Sequence, residues 1–200
     1  MLAHEILAIR EQRGLEHIGL QCLPAAWHFH PERIAGGVEA AILKAWADGT
    51  TRILVGYADC GTGGALDRVC ERLGVERIAG PHCFAFYQGL ERAAALEEHD
   101  MTSFFVTDFL ARQPDAFLYE PLGLDRYPEL AADYFGHYER VVYLAQTENA
   151  ELEASAREIA RRLDLGFERR FTGYGDLTTA LMAFGGDDEG AAIPSRDERT

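Results

Sequence analysis

The stretch RILVGYADCGTGGALDRVCERLG, Arg52 to Gly74, decides the fold class. Arg52 to Ala58 is an apolar run that reads as a buried strand. A turn of Gly and Thr follows Cys60. Leu66, Val69, Cys70 and Leu73 then recur at i, i+3, i+4 and i+7, the apolar stripe of a short amphipathic helix. Strand, polar turn, helix is the repeating half of a parallel βαβ unit.

The same unit recurs to either side. The opening MLAHEILAIREQRG has a helical pattern, and IGLQCLPAA reads as strand-like. Ile34, Val38, Ala41, Ile42, Ala45 and Trp46 mark a helix, with Pro31 and Glu32 suited to its first turn. Downstream, VERIAG reads as a weak strand, Phe84 to Glu98 as a helix, and SFFVTDFL as a strand. Tyr127 to Tyr138 reads as a helix and RVVYLAQT as a strand. Leu152 to Leu163 reads as a helix, FERRFTG as a strand and DLTTALMAF as a helix. The chain is therefore expected to be α/β, with alternating βα units and mostly parallel strands. One domain over residues 1–184 is expected, with two small Rossmann-like lobes around a central crevice, dividing near 100–125, as the alternative. Residues 185–200 lose the periodicity and read as a disordered acidic tail.

Composition sets limits. Two hundred residues, 48% of them hydrophobic and 26% charged, suit a soluble globular chain. A chain of this length buries about 70% of its unfolded surface, enough for a core without disulfide or metal. The net charge of -14 and the lack of a Lys/Arg cluster argue against a nucleic-acid partner. No apolar run approaches the roughly 18 residues of a membrane span, and the N-terminus lacks a secretory h-region. Four cysteines without an export signal point to reduced thiols in the cytoplasm.

In open parallel sheets, ligands gather at the carboxyl ends of the strands. Those ends here are AAWHFHP, YADCGTGG, GPHC, VTDF, LAQT and FTGYGD, each carrying chemistry-bearing residues. Cys60, just before the Gly-rich turn, suits a thiolate nucleophile or a soft-metal ligand if the following helix start lowers its pKa. Gly61, Thr62, Gly63 and Gly64 would let a phosphate or carboxylate approach the backbone, although the loop is neither a Walker A sequence nor a dinucleotide fingerprint. His82 and Cys83 offer imidazole and thiol, 23 residues beyond Cys60 and so about one βα unit away. His28 is a further candidate ligand and His30 a weaker one. Cys22 and Cys70 are expected in the core. Asp108, Gln146, Thr147, Thr172, Tyr174 and Asp176 could orient a substrate or accept a proton, with Thr172 or Asp176 alternatively capping the last helix. Asp125 and Arg126 read as a surface pair before an anion clamp.

With YADCGTGG, GPHCFAFYQG, FFVTDFL, LGLDRYPELAADYFGHYERVVYLAQT and RRFTGYGDL in this order, the chain resembles the family called domain of unknown function 1638, from Leu2 to about Leu177. The resemblance implies a bacterial or archaeal protein often encoded beside corrinoid-dependent methyltransferases and other one-carbon or methylamine genes. The family's motif positions fall on His28, Cys60, His82, Cys83, Asp108, Asp125, Arg126, Gln146 and Tyr174. Family members look as if they open on a short apolar strand ending in Cys-Gly-Ala-Leu, and this chain starts inside that motif at Met1-Leu2-Ala3. The expectation is that a first strand and a further cysteine are missing from it.

The leading expectation is a metal site in which Cys60, Cys83, His28 and His82 hold zinc or an iron–sulfur cluster. Asp108 and Tyr174 would be its catalytic groups, and Gly61, Thr62, Gly63, Gly64 and Gln146 its cofactor contacts. Its partners would be a small-molecule ligand and a corrinoid protein or methyltransferase. The alternatives are a non-catalytic corrinoid or tetrapyrrole accessory protein with His28 or His82 as axial ligand, and a metal-free cysteine enzyme.

Overall fold

The structure, a computed structural model, describes residues 2–95 and 98–186. It is an α/β fold with two small parallel sheets. The first half runs α1 (Ala3–Arg13), α2 (Ile34–Ala47), β1 (Leu54–Val55), α3 (Ala65–Leu73), β2 (Glu76–Arg77), α4 (Cys83–Gln88), α5 (Leu90–Ala94) and α6 (Glu98–Met101). The second half runs β3 (Ser103–Thr107), α7 (Asp108–Arg112), α8 (Ala131–Phe135), β4 (Arg140–Ala145), α9 (Ala150–Arg162), β5 (Gly166–Phe171) and α10 (Asp176–Gly186). β1 pairs with β2, and β4 lies between β3 and β5.

The larger sheet follows its sequence closely. Val141 to Ala145 are fully buried, as a central parallel strand requires. The α9 stripe of Leu152, Ala156, Ile159 and Ala160 packs with Val141 and Tyr143 in one core. Asn149 starts that helix, its side chain accepting the Glu151 and Leu152 amides at 2.9 and 3.1 Å.

The smaller sheet is a thin middle layer. Val55 turns toward α2 and α3, among Ile34, Val38, Ile42 and Leu66. Leu54 turns the other way, toward Ile6, Ile9, Phe86 and Leu181 of α1, α4 and α10. That alternation is the two-residue period of a strand. α10, near the far end of the chain, thus helps close the core of the first half.

Several expected elements are shorter. The strand read over Arg52 to Ala58 keeps only Leu54 and Val55. On the edge of β1 away from β2 no strand lies among the described residues, so nothing extends the ladder there. Residues 18–24 form no strand, Pro24 offers no amide donor, and a 3₁₀ turn over Ala25–Phe29 follows. Cys22 is accordingly exposed and not in the core, whereas Cys70 is buried as expected. The helix read from Phe84 to Glu98 breaks at Gly89, whose φ of 89° no helix holds. The helix read over 127–138 opens with a 3₁₀ turn at Pro128–Leu130 and ends at Phe135. α10 runs through Gly186, and the remaining residues of the expected tail lie outside the described ones. No helix among the described residues is long and apolar enough to cross a membrane.

Candidate functional site

The turns that follow β1 and β2 are joined backbone to backbone. The Asp59 amide donates to the Gly80 carbonyl and the Cys60 amide to the Pro81 carbonyl, each at 2.9 Å. These bonds set Cys60 beside the start of α4, where Cys83 stands. Cys60 holds a φ of 49°, a left-handed conformation uncommon outside glycine. Strained residues of this kind concentrate at functional sites.

Burial pushes the Cys83 thiol up to about 12, with the nearby Cys60 adding to the effect. Burial also raises Cys60, opposed by the Ala58 and Cys83 backbone. The expected thiolate at a helix start is therefore corrected. Cys60 precedes α3 by five positions, burial outweighs the backbone hydrogen bonds to its sulfur, and both sulfurs are neutral thiols near pH 7.

The Gly-rich turn is satisfied from within. Asp59 Oδ1 accepts the Thr62 hydroxyl at 2.6 Å and the Gly64 amide at 2.9 Å, and Oδ2 accepts the Gly63 amide at 3.3 Å. These donors, which the sequence offers to a bound anion, already face a carboxylate. Gly61 instead lies against Pro31. The Thr62 hydroxyl, then the Gly64 amide, hold the Asp59 carboxyl below its usual range.

Cys60 and Cys83 border a cavity of about 710 Å³. Its walls are chiefly apolar, with Ile34, Val38 and Ile42 from α2 on one side and Ile6, Leu181 and Phe184 on the other. Its floor is the continuous segment 49–58, so it runs along the free edge of β1. His28 also borders the cavity, at its solvent side. His82 does not. It lies exposed with its ring stacked on Phe84 at 3.9 Å, and Phe84 in turn stacks on Phe105. Among the described residues no group of three or more His, Cys, Asp or Glu is placed to hold a metal ion. The four expected ligands are thus an adjoining thiol pair, one imidazole at the cavity mouth and one facing solvent. His30 pairs with Glu32 at 3.3 Å on the surface.

The carboxyl ends of the larger sheet carry a second cluster. Asp108 Oδ1 accepts the Tyr143 hydroxyl at 2.7 Å and the Gln146 amide at 3.1 Å, and Oδ2 accepts the Thr147 hydroxyl at 2.6 Å. Gln146 returns the bond, its Oε1 accepting the Asp108 amide at 2.7 Å while Nε2 donates to the Leu144 carbonyl. Asp108 and Gln146 are both buried and engage each other, so they lock the ends of β3 and β4 together. The Thr172 hydroxyl stays on the backbone, on the Ala145 and Gly173 carbonyls. Asp176 accepts the Leu90 amide at 2.7 Å and so caps α5 and not its own helix. Asp125 and Arg126 pair at 3.6 Å on the surface, as read.

Tyr174 packs on the first half's core and stands within electrostatic reach of Glu5, Asp108 and Arg112. Glu5 and Tyr87 are two residues that sequence reasoning missed. Glu5 is 3% exposed with Oε2 unpartnered, and burial raises its pKa. Tyr87 lies between Glu5, Cys83, Asp108 and Tyr174, and burial raises its phenol strongly. The signal for Glu5 was its place one turn before Ile9, on the buried side of α1.

Among known proteins, a family model described as "Protein of unknown function (DUF1638)" matches residues 22–181. No curated protein and no solved structure matches the chain.

Proposed function

The chain belongs to this family of proteins of unknown function, and on that premise we propose that it binds a small organic ligand in the cavity beside β1. The observation that supports the reading is the placement of Cys60, Cys83 and His28 on an otherwise largely apolar cavity of about 710 Å³. Volumes of this order, apolar walls and a few convergent polar groups are the features of small-molecule sites. An imidazole is a donor suited to a ligand that carries its own transition metal, and the two thiols add polarizable contacts. A corrinoid or another tetrapyrrole has that chemistry, and His28 would be the residue to hold its metal. The associated role is corrinoid-linked one-carbon or methylamine metabolism in the cytoplasm, alongside a corrinoid protein or methyltransferase.

A second reading keeps Cys60 and Cys83 as two ligands of a protein-held zinc ion or iron–sulfur cluster. The hydrogen-bonded turns that carry both thiols favour it. The raised thiols argue against a metal-free cysteine nucleophile acting alone.

The test is anaerobic purification with elemental analysis, followed by titration of hydroxocobalamin and of haem into wild type, His28→Ala, Cys60→Ser and Cys83→Ser. A saturable change in the visible spectrum that weakens in His28→Ala supports the first reading. Stoichiometric zinc or iron lost in both cysteine variants supports the second. A protein that binds neither macrocycle and carries no metal rejects both.

A further inference from the structure

Cys60 and Cys83 come from different turns and meet through main-chain bonds. The Cys60 amide donates to Pro81, two residues before Cys83, and the Cys60 sulfur lies against the Cys83 backbone. Both side chains pack on one apolar cluster and open on one cavity. Of the other two cysteines, Cys70 is buried under α2, and Cys22 is exposed on the lining of the same cavity, without the main-chain link that joins Cys60 to the turn before Cys83. A disulfide between Cys60 and Cys83 requires Cα atoms within about 7 Å and Cβ atoms that face each other.

We propose that Cys60 and Cys83 are a redox-active dithiol that closes to a disulfide, with a low-molecular-weight disulfide as the oxidant. One protein thiol loses its proton and attacks a sulfur of the small disulfide, forming a mixed disulfide and releasing one small thiol that takes up the proton. The second protein thiol, deprotonated in turn, attacks the protein sulfur of that mixed disulfide. It forms the Cys60–Cys83 bond and releases the second small thiol. Two electrons and two protons pass from the protein to the small disulfide, which leaves as two thiols. Once joined, neither sulfur is a thiol donor to a ligand in the cavity. Oxidation therefore removes two of the three polar groups on which the proposed ligand site rests.

Thiol–disulfide exchange proceeds through thiolate, so raising the pH favours it. The experiment incubates the reduced full chain with oxidised glutathione from pH 7 to pH 9 and follows intact mass and peptide maps. The expected product has lost two hydrogens, carries no glutathione and yields a linked peptide pair containing Cys60 and Cys83. In Cys60→Ser or Cys83→Ser the partner cysteine should keep its glutathione. Lasting adducts on Cys60 or Cys83 in wild type, a bridge through Cys22, or no reaction across the range would overturn the proposal. Hydroxocobalamin titration of the oxidised and reduced forms separates this inference from the ligand reading. A bridge that forms in a protein blind to the macrocycle keeps the first and removes the second, and macrocycle binding without a bridge does the reverse.

Discussion

The Tyr143 hydroxyl donates to Asp108 Oδ1 at 2.7 Å, so the middle of β4 holds the residue that follows β3. The Gln146 amide and the Thr147 hydroxyl also donate to this carboxylate. Asp108→Ala leaves three donors without an acceptor and should lower stability by about 3 kcal/mol or more. Tyr143→Phe removes one bond and should lower it by about 1–2 kcal/mol. Urea denaturation of both variants and the double variant checks this. The double loss should fall short of the sum, because both changes delete the same bond. Additive losses would show that the two residues act separately.

Gly175 holds a φ of 49°, and an added Cβ would lie 2.2 Å from the Phe86 carbonyl oxygen and 2.7 Å from that of Tyr87. Neither backbone group can yield without moving α4. Gly175→Ala should therefore cost about 2 kcal/mol or more and displace Tyr174, its neighbour. Gly173→Ala, with open space around it, carries the left-handed penalty without the clash and should cost about 1 kcal/mol. Equal thermal midpoints for the two variants would refute the steric account.

Glu5 makes stability depend on pH in a defined direction. Its folded pKa is raised above the ordinary 4.5, chiefly by burial. Below pH 4.5 the carboxyl is protonated in both folded and unfolded chains. As pH rises from there through the folded value, the unfolded chain ionises first and stability falls. Glu5→Gln keeps the shape without the charge, so its stability should be flatter than wild type's on the alkaline side. Chemical denaturation at several pH values between 5 and 9 provides the measurement, and parallel curves for the two proteins would exclude Glu5 as the source.

Asp59 acts with the opposite sign. Its pKa is lowered by the Thr62 hydroxyl and the Gly64 amide, so its contribution is present above the ordinary Asp value and fades as pH falls through the lowered one. Asp59→Ala frees the turn's donors and should lower stability by about 1–2 kcal/mol at pH 7. Loosening of the turn should also speed alkylation of Cys60 by iodoacetamide relative to that of Cys22. An unchanged Cys60 rate would mean that Asp59 folds the turn without holding the thiol.

Much of the fold was legible because its periodicities are strong. The α9 stripe, the α3 stripe and the apolar β4 each state their own environment. The thinner elements were less legible. Residues 18–24 carry the apolar content of a strand, but a strand exists only where a neighbour supplies the ladder, and Pro24 interrupts it. Gly89 divides a helical stretch through its left-handed backbone, which residue type only permits and does not dictate. At the site, sequence placed Cys60, Cys83, Asp108 and Gln146 after strands, as they are, whereas His28 follows residues that form no strand. It could not tell that Asp59 would occupy the turn's donors, or that Gln146 would serve Asp108 and not a ligand. Those outcomes depend on which of several adjacent polar groups reaches its partner first in space.

The pairing of Asp59 with Gly80 and of Cys60 with Pro81 uses only main-chain groups. The two turns are thus tied to each other through peptide groups, and of the side chains nearby only Asp59, which braces the turn after Cys60, is asked to support that tie. Substitutions that keep the backbone path can change the chemistry around the thiols, in polarity, bulk or charge, while the thiols themselves stay in register. The scaffold can in this way be retuned for a different ligand without being rebuilt.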